Sequence, residues 1–236
     1  MPESRRIVAC VAVLLACASC QETRTSTESS TSLTSSSTAD FRDTFSVDRK
    51  ILGPTGSSTY FSLVPGTVRV YRDDEEQVTI TVLDETRLVD GVTTRVIEER
   101  ELADGKLAEV SRNFFAIDGS TGDVYYFGEE VDIYKGGKIA NHGGAWLSGV
   151  DGARFGLIMP GHPVVGDRHY QEIAPDVAMD RAEIVSLDER IETPAGVFEH
   201  CLHVRETSPL EKGVSDKWYA PGIGLIRDED CALVSR

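Results

Sequence analysis

The chain has 236 residues, which suffice for one domain of ordinary size and some flanking sequence. Its 39 acidic and 24 basic side chains give a formal net charge of −15. A polyanion of this kind repels nucleic acid and anionic lipid headgroups, so we expect neither as a partner and assign the charge a solubilising role.

The first 19 residues are predicted to form a signal peptide of the lipoprotein type. Arg5 and Arg6 precede an uninterrupted apolar run at residues 7–16, "IVACVAVLLA". Ten helical residues reach about 15 Å, whereas a bilayer core is about 30 Å thick, so this run is too short to span a membrane. A basic start, a short apolar run and then small residues are typical of a secretory signal, which predicts export.

Cys17 and Cys20 lie at the end of this signal. A redox C-x-x-C pair belongs beside a βαβ unit, and a zinc half-site needs a second half at matching spacing; neither pattern follows. The stretch resembles a bacterial lipobox, whose cysteine is acylated and becomes the first residue of the mature chain. "LLAC" favours Cys17 as the acylated residue, because a leucine lies three positions before it. "CASC" favours Cys20, because the two residues before it are small, and the length of the signal also favours Cys20. A processed lipid would anchor the protein firmly to a membrane; an ordinary secretory signal with incidental cysteines is the alternative.

Residues 20–45 are predicted to be a disordered tether. Between Gln21 and Asp40, thirteen of twenty residues are Ser or Thr, and Leu33 alone is large and apolar. Such a segment cannot bury enough apolar surface to offset the entropy that ordering would cost. A flexible coil of about 25 residues has a root-mean-square reach of about 25–30 Å, which would hold an anchored domain clear of the lipid headgroups.

Residues 46–236 are predicted to form an all-β domain. In "QVTITVLDE", Val78, Ile80 and Val82 alternate with polar residues, which is the period of a half-buried strand. Further strand-like runs follow, separated by the turn signals "VDGV", "ADGK", "DGSTGD" and "KGGK". Short strands at regular spacing predict an antiparallel meander that forms a barrel, a half-barrel or a sandwich of paired sheets.

The domain is predicted to contain two pseudo-repeats, at about residues 60–135 and 162–236. A unit of about 75 residues is small for a core of its own, so we expect the two units to share one core. Chance similarity between amphipathic strands is the alternative. Three anchors recur at an offset of 104 or 105 residues: Leu83-Asp84-Glu85 with Leu187-Asp188-Glu189, Gly91-Val92 with Gly196-Val197, and Phe115-Ala116 with Tyr219-Ala220.

Three segments carry a family resemblance: "YFSLVPGTVRVY" at residues 60–71, "TPAGVFEHCLHVRET" at residues 193–207 and "WYAPGIGLIRDE" at residues 218–229. They resemble recurring segments of uncharacterised bacterial secreted and lipid-anchored β domains, which are lipoproteins of unknown function. The resemblance covers most of residues 58–230. It implies an envelope β domain and brings no catalytic residues with it.

The segment between the repeats, residues 136–161, is rich in glycine, with eight in 26 residues. We interpret it as a long crossover loop, for which two roles remain open. It could cap the mouth of a barrel and contact an apolar ligand through Trp146, Phe155 and Met159. Alternatively, it only links the repeats, and its aromatic side chains plug one end of the core.

The sequence lacks common catalytic motifs such as G-x-S-x-G and H-E-x-x-H, so we predict no enzymatic activity, no catalytic residue, no cofactor and no metal site. Within "EHCLH", strand alternation would place Glu199, Cys201 and His203 on one face. They could then form a partial metal site or a thiol–imidazole pair, although the sequence names no further ligand.

A disulfide between Cys201 and Cys231 stays open, because exported proteins often join their remaining cysteines. We expect one strand, that of Trp218, to lie between the strands of these cysteines. Second-neighbour strands lie about 9–10 Å apart, which exceeds the Cα separation of about 7 Å that a disulfide can bridge.

Three functions are compatible with these features. The first is a lipid-anchored extracytoplasmic β domain that binds an apolar or amphipathic molecule or another envelope component. The second is a purely structural or surface module. The third is an envelope hydrolase, which would require His162 or His169 to converge with carboxylates in a pocket.

Overall fold

The structure, a computed structural model, describes residues 40–236. Antiparallel strands make up nearly all the regular structure in this range, beside a 3-10 turn at Arg49–Ile51. The all-β prediction is therefore confirmed. The strands are β1 (Leu52–Gly53), β2 (Val68–Arg72), β3 (Glu76–Val89), β4 (Val92–Ala103), β5 (Lys106–Asp118), β6 (Val124–Lys135), β7 (Lys138–Asn141), β8 (Trp146–Leu147), β9 (Arg154–Met159), β10 (Arg168–Tyr170), β11 (Glu172–Ile173), β12 (Arg181–Thr193), β13 (Gly196–Thr207), β14 (Ser215–Ala220), β15 (Gly224–Asp228) and β16 (Cys231–Ser235).

Thirteen of these strands form one sheet that curls into a nearly closed barrel. Their order is β10-β12-β13-β14-β15-β16-β2-β3-β4-β5-β6-β9-β11. The two end strands, β10 and β11, are consecutive in the chain with only Gln171 between them. Because β10 pairs with β12 and β11 pairs with β9, the closing segment, residues 168–173, joins the two edges of the sheet.

Gly156 makes this closure sterically feasible. A Cβ at Gly156 would lie 2.4 Å from the carbonyl oxygen of Gln171 and 2.7 Å from that of Tyr170. Only a glycine lets β9 lie this close to the backbone of the closing segment.

Three of the predicted turns are two-residue hairpin connections. Asp90-Gly91, Asp104-Gly105 and Gly136-Gly137 have φ values between 48° and 79° at both positions. Positive φ at both central residues defines the type I′ turn, whose twist matches that of the flanking strands. These turns join β3 to β4, β4 to β5 and β6 to β7.

The central core lies inside the barrel and draws residues from both predicted repeats. It includes Val82, Phe115 and Tyr126 from the first and Leu202 and Tyr219 from the second. A second cluster lies on β4 to β6 under the segment of Phe45 and Val47, and a third cluster joins β2 and β3 to β13–β16.

The anchors of the predicted repeats occupy corresponding places in two meanders. Leu83–Glu85 and Leu187–Glu189 each lie where the register shifts in the first strand of a long hairpin. Phe115 and Tyr219 each lie on the third strand and belong to the central core. The two-repeat interpretation itself stays a prediction.

Two predicted boundaries require correction. Phe41 packs edge-on against Tyr170, with 6.3 Å between ring centroids, and Phe45 packs likewise against Tyr125 at 6.2 Å. Residues 41–45, assigned to the tether, therefore belong to the folded part. The glycine-rich segment at 136–161 is not one long loop, because it supplies β7, β8 and β9, which all pair with β6. The predicted signal peptide, Cys17, Cys20 and the tether up to residue 39 lie outside the described residues.

Candidate functional site

A cavity opens inside the barrel between strands from both meanders. Its volume is about 70 Å³, taken as the space open to the centre of a water molecule. Aromatic and aliphatic side chains dominate the wall, and a few polar groups interrupt it. The lining consists of Tyr60, Phe61, Ser62, Arg69, Tyr71, Ile80, Ile97, Glu99, Asn113, Phe115, Tyr126, Ile158, Tyr219, Gly224 and Leu225.

Ring contacts and two linked hydrogen bonds hold the aromatic wall of this central cavity in place. Phe115 stacks on Tyr126 with 4.7 Å between ring centroids, and Phe61 meets Phe115 edge-on at 5.3 Å. The Tyr126 hydroxyl donates to Asn113 Oδ1 at 2.6 Å, and Asn113 Nδ2 donates to Ser111 Oγ at 3.0 Å. These contacts fix the rings, so the cavity is largely formed before any ligand arrives.

Arg69 supplies the basic group of the lining. It lies on β2 opposite Ile80 of β3, and Ile80 lies opposite Glu99 of β4, so the three residues form one row across the sheet. Burial lowers the pKa of the Arg69 guanidinium below its ordinary value, although arginine stays charged at neutral pH. Among residues 40–236, no salt bridge involves Arg69.

Buried carboxyl groups are the second feature of the interior. Burial raises the pKa of Glu109 to about 8, and repulsion from Glu101 and Glu99 adds to the effect. Burial also raises the pKa of Glu129 and of Glu172 well above the ordinary value. Glu109 is therefore mostly protonated at neutral pH, and burial favours the uncharged form of Glu129 and Glu172 as well.

Lys217 neutralises a further pair of buried carboxylates. Its Nζ lies 2.8 Å from Glu206 Oε2 and 3.5 Å from Asp228 Oδ2, and its side chain is 3 % exposed. Gln171 of the closing segment donates to the other oxygen of Glu206 at 2.7 Å. Burial nevertheless raises the pKa of Asp228 to about 6. This network ties the closing segment to β13, β14 and β15.

The structure separates the three residues of "EHCLH" that alternation placed on one face. His200 has a φ of 55°, which breaks the alternation of β13. Glu199 is exposed and pairs with Arg190 at 3.0 Å, whereas Cys201 is buried in the third cluster. The shared-face prediction is therefore wrong for Glu199. In residues 40–236, no three His, Cys, Asp or Glu side chains are placed to hold a metal ion.

His203 is the histidine that carboxylates flank. Its Nδ1 lies 3.0 Å from Glu189 Oε1 and its Nε2 lies 2.7 Å from Asp216 Oδ1. Trp218 stacks on the ring at 4.8 Å and donates its indole N–H to Glu189 Oε2 at 2.8 Å. Both ring nitrogens of His203 therefore have carboxylate partners, and Trp218 covers a face of the ring. This arrangement suits a structural role.

The histidines on which a hydrolase would depend do not meet carboxylates. His162 is exposed. His169 is 1 % exposed, and burial lowers its pKa to about 4, so it is neutral at physiological pH. Among the described residues, neither histidine forms a salt bridge with Asp or Glu.

Cys201 and Cys231 are both free and buried. Two strands, β14 and β15, lie between their strands in the sheet, rather than the single strand expected. Burial raises the pKa of Cys201, and it raises that of Cys231 to about 12, so both thiols remain protonated. A protonated buried thiol is chemically inert.

The predicted lining residues Trp146, Phe155 and Met159 do not come together at one site. Trp146 and Met159 are buried in the central core. Phe155 lies with the second cluster, where it stacks on Phe127 with 4.8 Å between ring centroids. Trp146 also lines a surface pocket with Glu129. A ligand-binding role for these residues stays a prediction.

Sequence reasoning missed Arg69, Glu99 and Asn113, which lie in the wall of the central cavity. The sequence signal that could have identified them is a charged or amide side chain at an inward-facing position of an alternating strand. Glu99 follows Ile97 by two residues and therefore shares its face. The alternation of β4 and β5 could have marked these positions, but it could not show that the strands enclose a cavity.

No family model and no curated protein matches the chain. Among solved structures, it is similar to a "putative lipoprotein" from Parabacteroides distasonis, with 14% identity, a TM-score of 0.36 and coverage of 77% of this chain and 99% of that chain. It is also similar to a "putative exported protein with YmcC-like fold" from Bacteroides fragilis, with 17% identity, a TM-score of 0.30 and coverage of 78% and 95%. At such identities and TM-scores, the similarity establishes neither a shared fold nor a shared function.

Residues 40–236 contain no helix with the length and apolarity of a membrane span.

Proposed function

We propose that the chain is an exported, lipid-anchored β domain that binds a small molecule with an apolar body and an acidic group in the central cavity. The supporting observation is Arg69, a guanidinium without a salt bridge among the described residues, in a wall that is otherwise mostly aromatic and aliphatic. Arg69 is half-buried, and a carboxylate ligand would give its partly desolvated charge an ion-pair partner.

The size of the central cavity limits the ligand. A water position needs about 10–15 Å³ on this measure, so a volume of about 70 Å³ corresponds to roughly five to seven such positions. A short aliphatic acid fits this space, whereas the cavity known to hold a benzene ring is about 150 Å³, roughly twice as large. Protonation of Glu109, whose pKa is raised to about 8, lessens the repulsion that an anion would otherwise meet inside the barrel.

Native mass spectrometry of the full chain from its own host tests the binding function. We expect a co-purifying mass that disappears after extraction with organic solvent. The absence of any such mass would favour the alternative, a purely structural or surface module. A hydrolytic role has no support from the placement of His162 and His169, and catalysis is not part of the proposal.

The anchor is proposed from the sequence alone, since Cys17 and Cys20 precede the described residues. Intact-mass analysis of the mature chain should show an acylated N-terminal cysteine, at residue 20 or at residue 17. A mature chain that carries no acyl mass would remove the anchor from the proposal without touching the ligand site.

A further inference from the structure

A second pocket lies where the short strand β8 meets β6. Glu129 of β6 and Trp146 of β8 are cross-strand partners, as are Gly128 and Leu147. A Cβ at Gly128 would lie 2.5 Å from the Trp146 carbonyl oxygen, so glycine is required for this approach. Trp146 and Glu129 are therefore held side by side by backbone pairing rather than by a flexible loop.

The polar atoms of this pair have no protein partner. Glu129 is 0 % exposed, and neither of its carboxyl oxygens has a hydrogen-bond partner among the described residues. The indole N–H of Trp146, which is 6 % exposed, lacks a partner as well. Native proteins pair nearly all buried polar groups, so three such atoms on two adjacent residues call for an explanation.

All three atoms belong to residues that line a pocket of about 260 Å³, which we call the Glu129 pocket. An apolar cavity of about 150 Å³ is already large enough for benzene. Glu129, Trp146, Ala153 and Ala174 are buried, whereas Asp151 and Pro175 are exposed and mark the mouth. The remaining lining is Glu130, Ala145, Leu147, Val150 and Val177.

We propose that the Glu129 pocket binds a small molecule through an uncharged carboxamide group. A carboxamide presents an N–H donor and a carbonyl acceptor side by side. Its N–H would donate to Glu129, and its carbonyl oxygen would accept from the indole N–H of Trp146, after side-chain rotations that turn these enclosed atoms toward the pocket. The apolar part of the molecule would contact Ala153, Ala174 and Val177.

Charged ligands match these atoms less well. An ammonium group has donors only, so it would leave the Trp146 N–H without a partner. A carboxylate has acceptors only, and its charge would lie near Glu130 and Asp151 in a lining that contains no basic side chain. Burial, together with Glu172, Glu109, Glu99 and Asp180, raises the pKa of Glu129 well above its ordinary value. Burial thus favours the protonated form, in which the carboxyl both donates to and accepts from an amide.

The Glu129 pocket is independent of the proposed acid site. Tyr126 lines the central cavity and meets Trp146 edge-on, with 5.2 Å between ring centroids, so these two rings lie between the spaces. The two sites have different polar groups and different expected ligands. Failure of either proposal leaves the other in place.

The indole N–H resonance of Trp146 offers a direct test. The chain has two tryptophans, so a proton–nitrogen spectrum of the ¹⁵N-labelled full chain contains two indole signals, and Trp218→Phe assigns them. Benzamide, acetophenone, benzylamine and benzoate serve as probes of similar size. We expect benzamide to shift the Trp146 signal saturably, with an affinity about tenfold higher than that of acetophenone, which lacks the donor.

Variants separate an amide site from a cation site. Glu129→Gln should keep benzamide binding within about threefold, because a glutamine amide also pairs with a carboxamide. Glu129→Leu should weaken benzamide about tenfold or more, and Glu85→Gln, at an exposed carboxylate outside the pocket, should change nothing. The proposal would be overturned in favour of a cation site if benzylamine bound most tightly of the four probes and lost its binding in Glu129→Gln. Ligands of about nine non-hydrogen atoms ordinarily bind at about 20 mM. If no probe shifts the Trp146 signal at that concentration, the pocket holds only water and the proposal is overturned.

Discussion

The ammonium group of Lys217 lies 2.8 Å from the carboxylate of Glu206 inside the barrel, and both side chains are almost fully enclosed. Glu206 in turn accepts a hydrogen bond from Gln171 of the closing segment. One ion pair therefore connects the middle of the sheet to the segment that joins its edges. Its loss should affect the whole barrel rather than one hairpin.

Lys217→Met should lower the free energy of unfolding by about 3 kcal/mol, because removal of one partner leaves buried carboxylates uncompensated. Urea denaturation monitored by far-ultraviolet circular dichroism measures the effect. Lys212→Met, at an exposed position, is the matched control and should change stability by less than about 0.5 kcal/mol. A Lys217→Met variant as stable as the control would mean that the ion pair contributes nothing to the barrel. Adding Glu206→Gln to Lys217→Met should restore part of the loss.

Glu109 should make the protein less stable as pH rises. The pKa of its carboxyl is raised from 4.5 to about 8 in the folded chain, so the folded state holds the proton more tightly than the unfolded state. The associated stability is complete below pH 4.5 and is lost as pH rises toward 8.

Glu109→Gln should therefore stabilise the protein at pH 8 by about 2–4 kcal/mol and should have little effect at pH 4.5, since one pKa unit corresponds to about 1.4 kcal/mol. Denaturation of variant and parent at both pH values measures this difference. Glu85→Gln, at an exposed carboxylate, should show no such pH-dependent gain. Equal stability changes at the two pH values would contradict the assignment of a protonated Glu109.

Gly156→Ala tests the closure of the barrel. The added methyl group would overlap the backbone of Gln171 and Tyr170, so β9 and the closing segment must separate. We expect a loss of at least about 2 kcal/mol in the free energy of unfolding. Amide hydrogen exchange should show lost protection at residues 168–173. Gly119→Ala is the control, because nothing lies within 4 Å of a Cβ at Gly119; unchanged protection in Gly156→Ala would show that the closure tolerates the extra atom.

The buried cysteines should remain thiols in the folded protein. Both cysteines lie in the third cluster, and β14 and β15 lie between their strands in the sheet. Mass spectrometry after alkylation under denaturing, non-reducing conditions should find Cys201 and Cys231 fully modified. A mass lower by two hydrogens, with both sites resistant to alkylation, would instead reveal a disulfide and require the sheet to be rearranged there.

Much of the fold could be predicted from local sequence. Strands β3 to β6 follow the predicted runs because period-two alternation and Asp-Gly or Gly-Gly turns act over a few residues. The strands β7, β8 and β9 were missed because they are short and contain or adjoin glycines, which weaken the strand pattern. The bulge at His200 likewise separates Glu199 from Cys201, which alternation places on the same face, since one residue of φ 55° is invisible to an alternation rule.

The candidate sites depend on contacts that local patterns do not contain. Arg69 and Tyr219 line the same cavity although 150 positions separate them in the chain. Their proximity follows from the order of thirteen strands and from the way in which β10 and β11 close the sheet. Trp146 was recognised as a candidate, but Glu129 was not, because its missing partners become evident only when β8 is placed against β6.

The central claim, an acid-binding cavity built around Arg69, is tested most directly by calorimetric titration of the full chain with hexanoate. Hexanol and hexylamine, of equal length, show whether the acidic group matters. Arg69→Met removes the guanidinium and keeps much of the apolar stem, and Arg72→Met changes an exposed arginine of the same strand. We predict that hexanoate binds more tightly than hexanol or hexylamine, and that Arg69→Met weakens hexanoate about tenfold or more while Arg72→Met does not. Equal binding of hexanoate by the parent chain and by Arg69→Met, or no binding at all, would contradict the account.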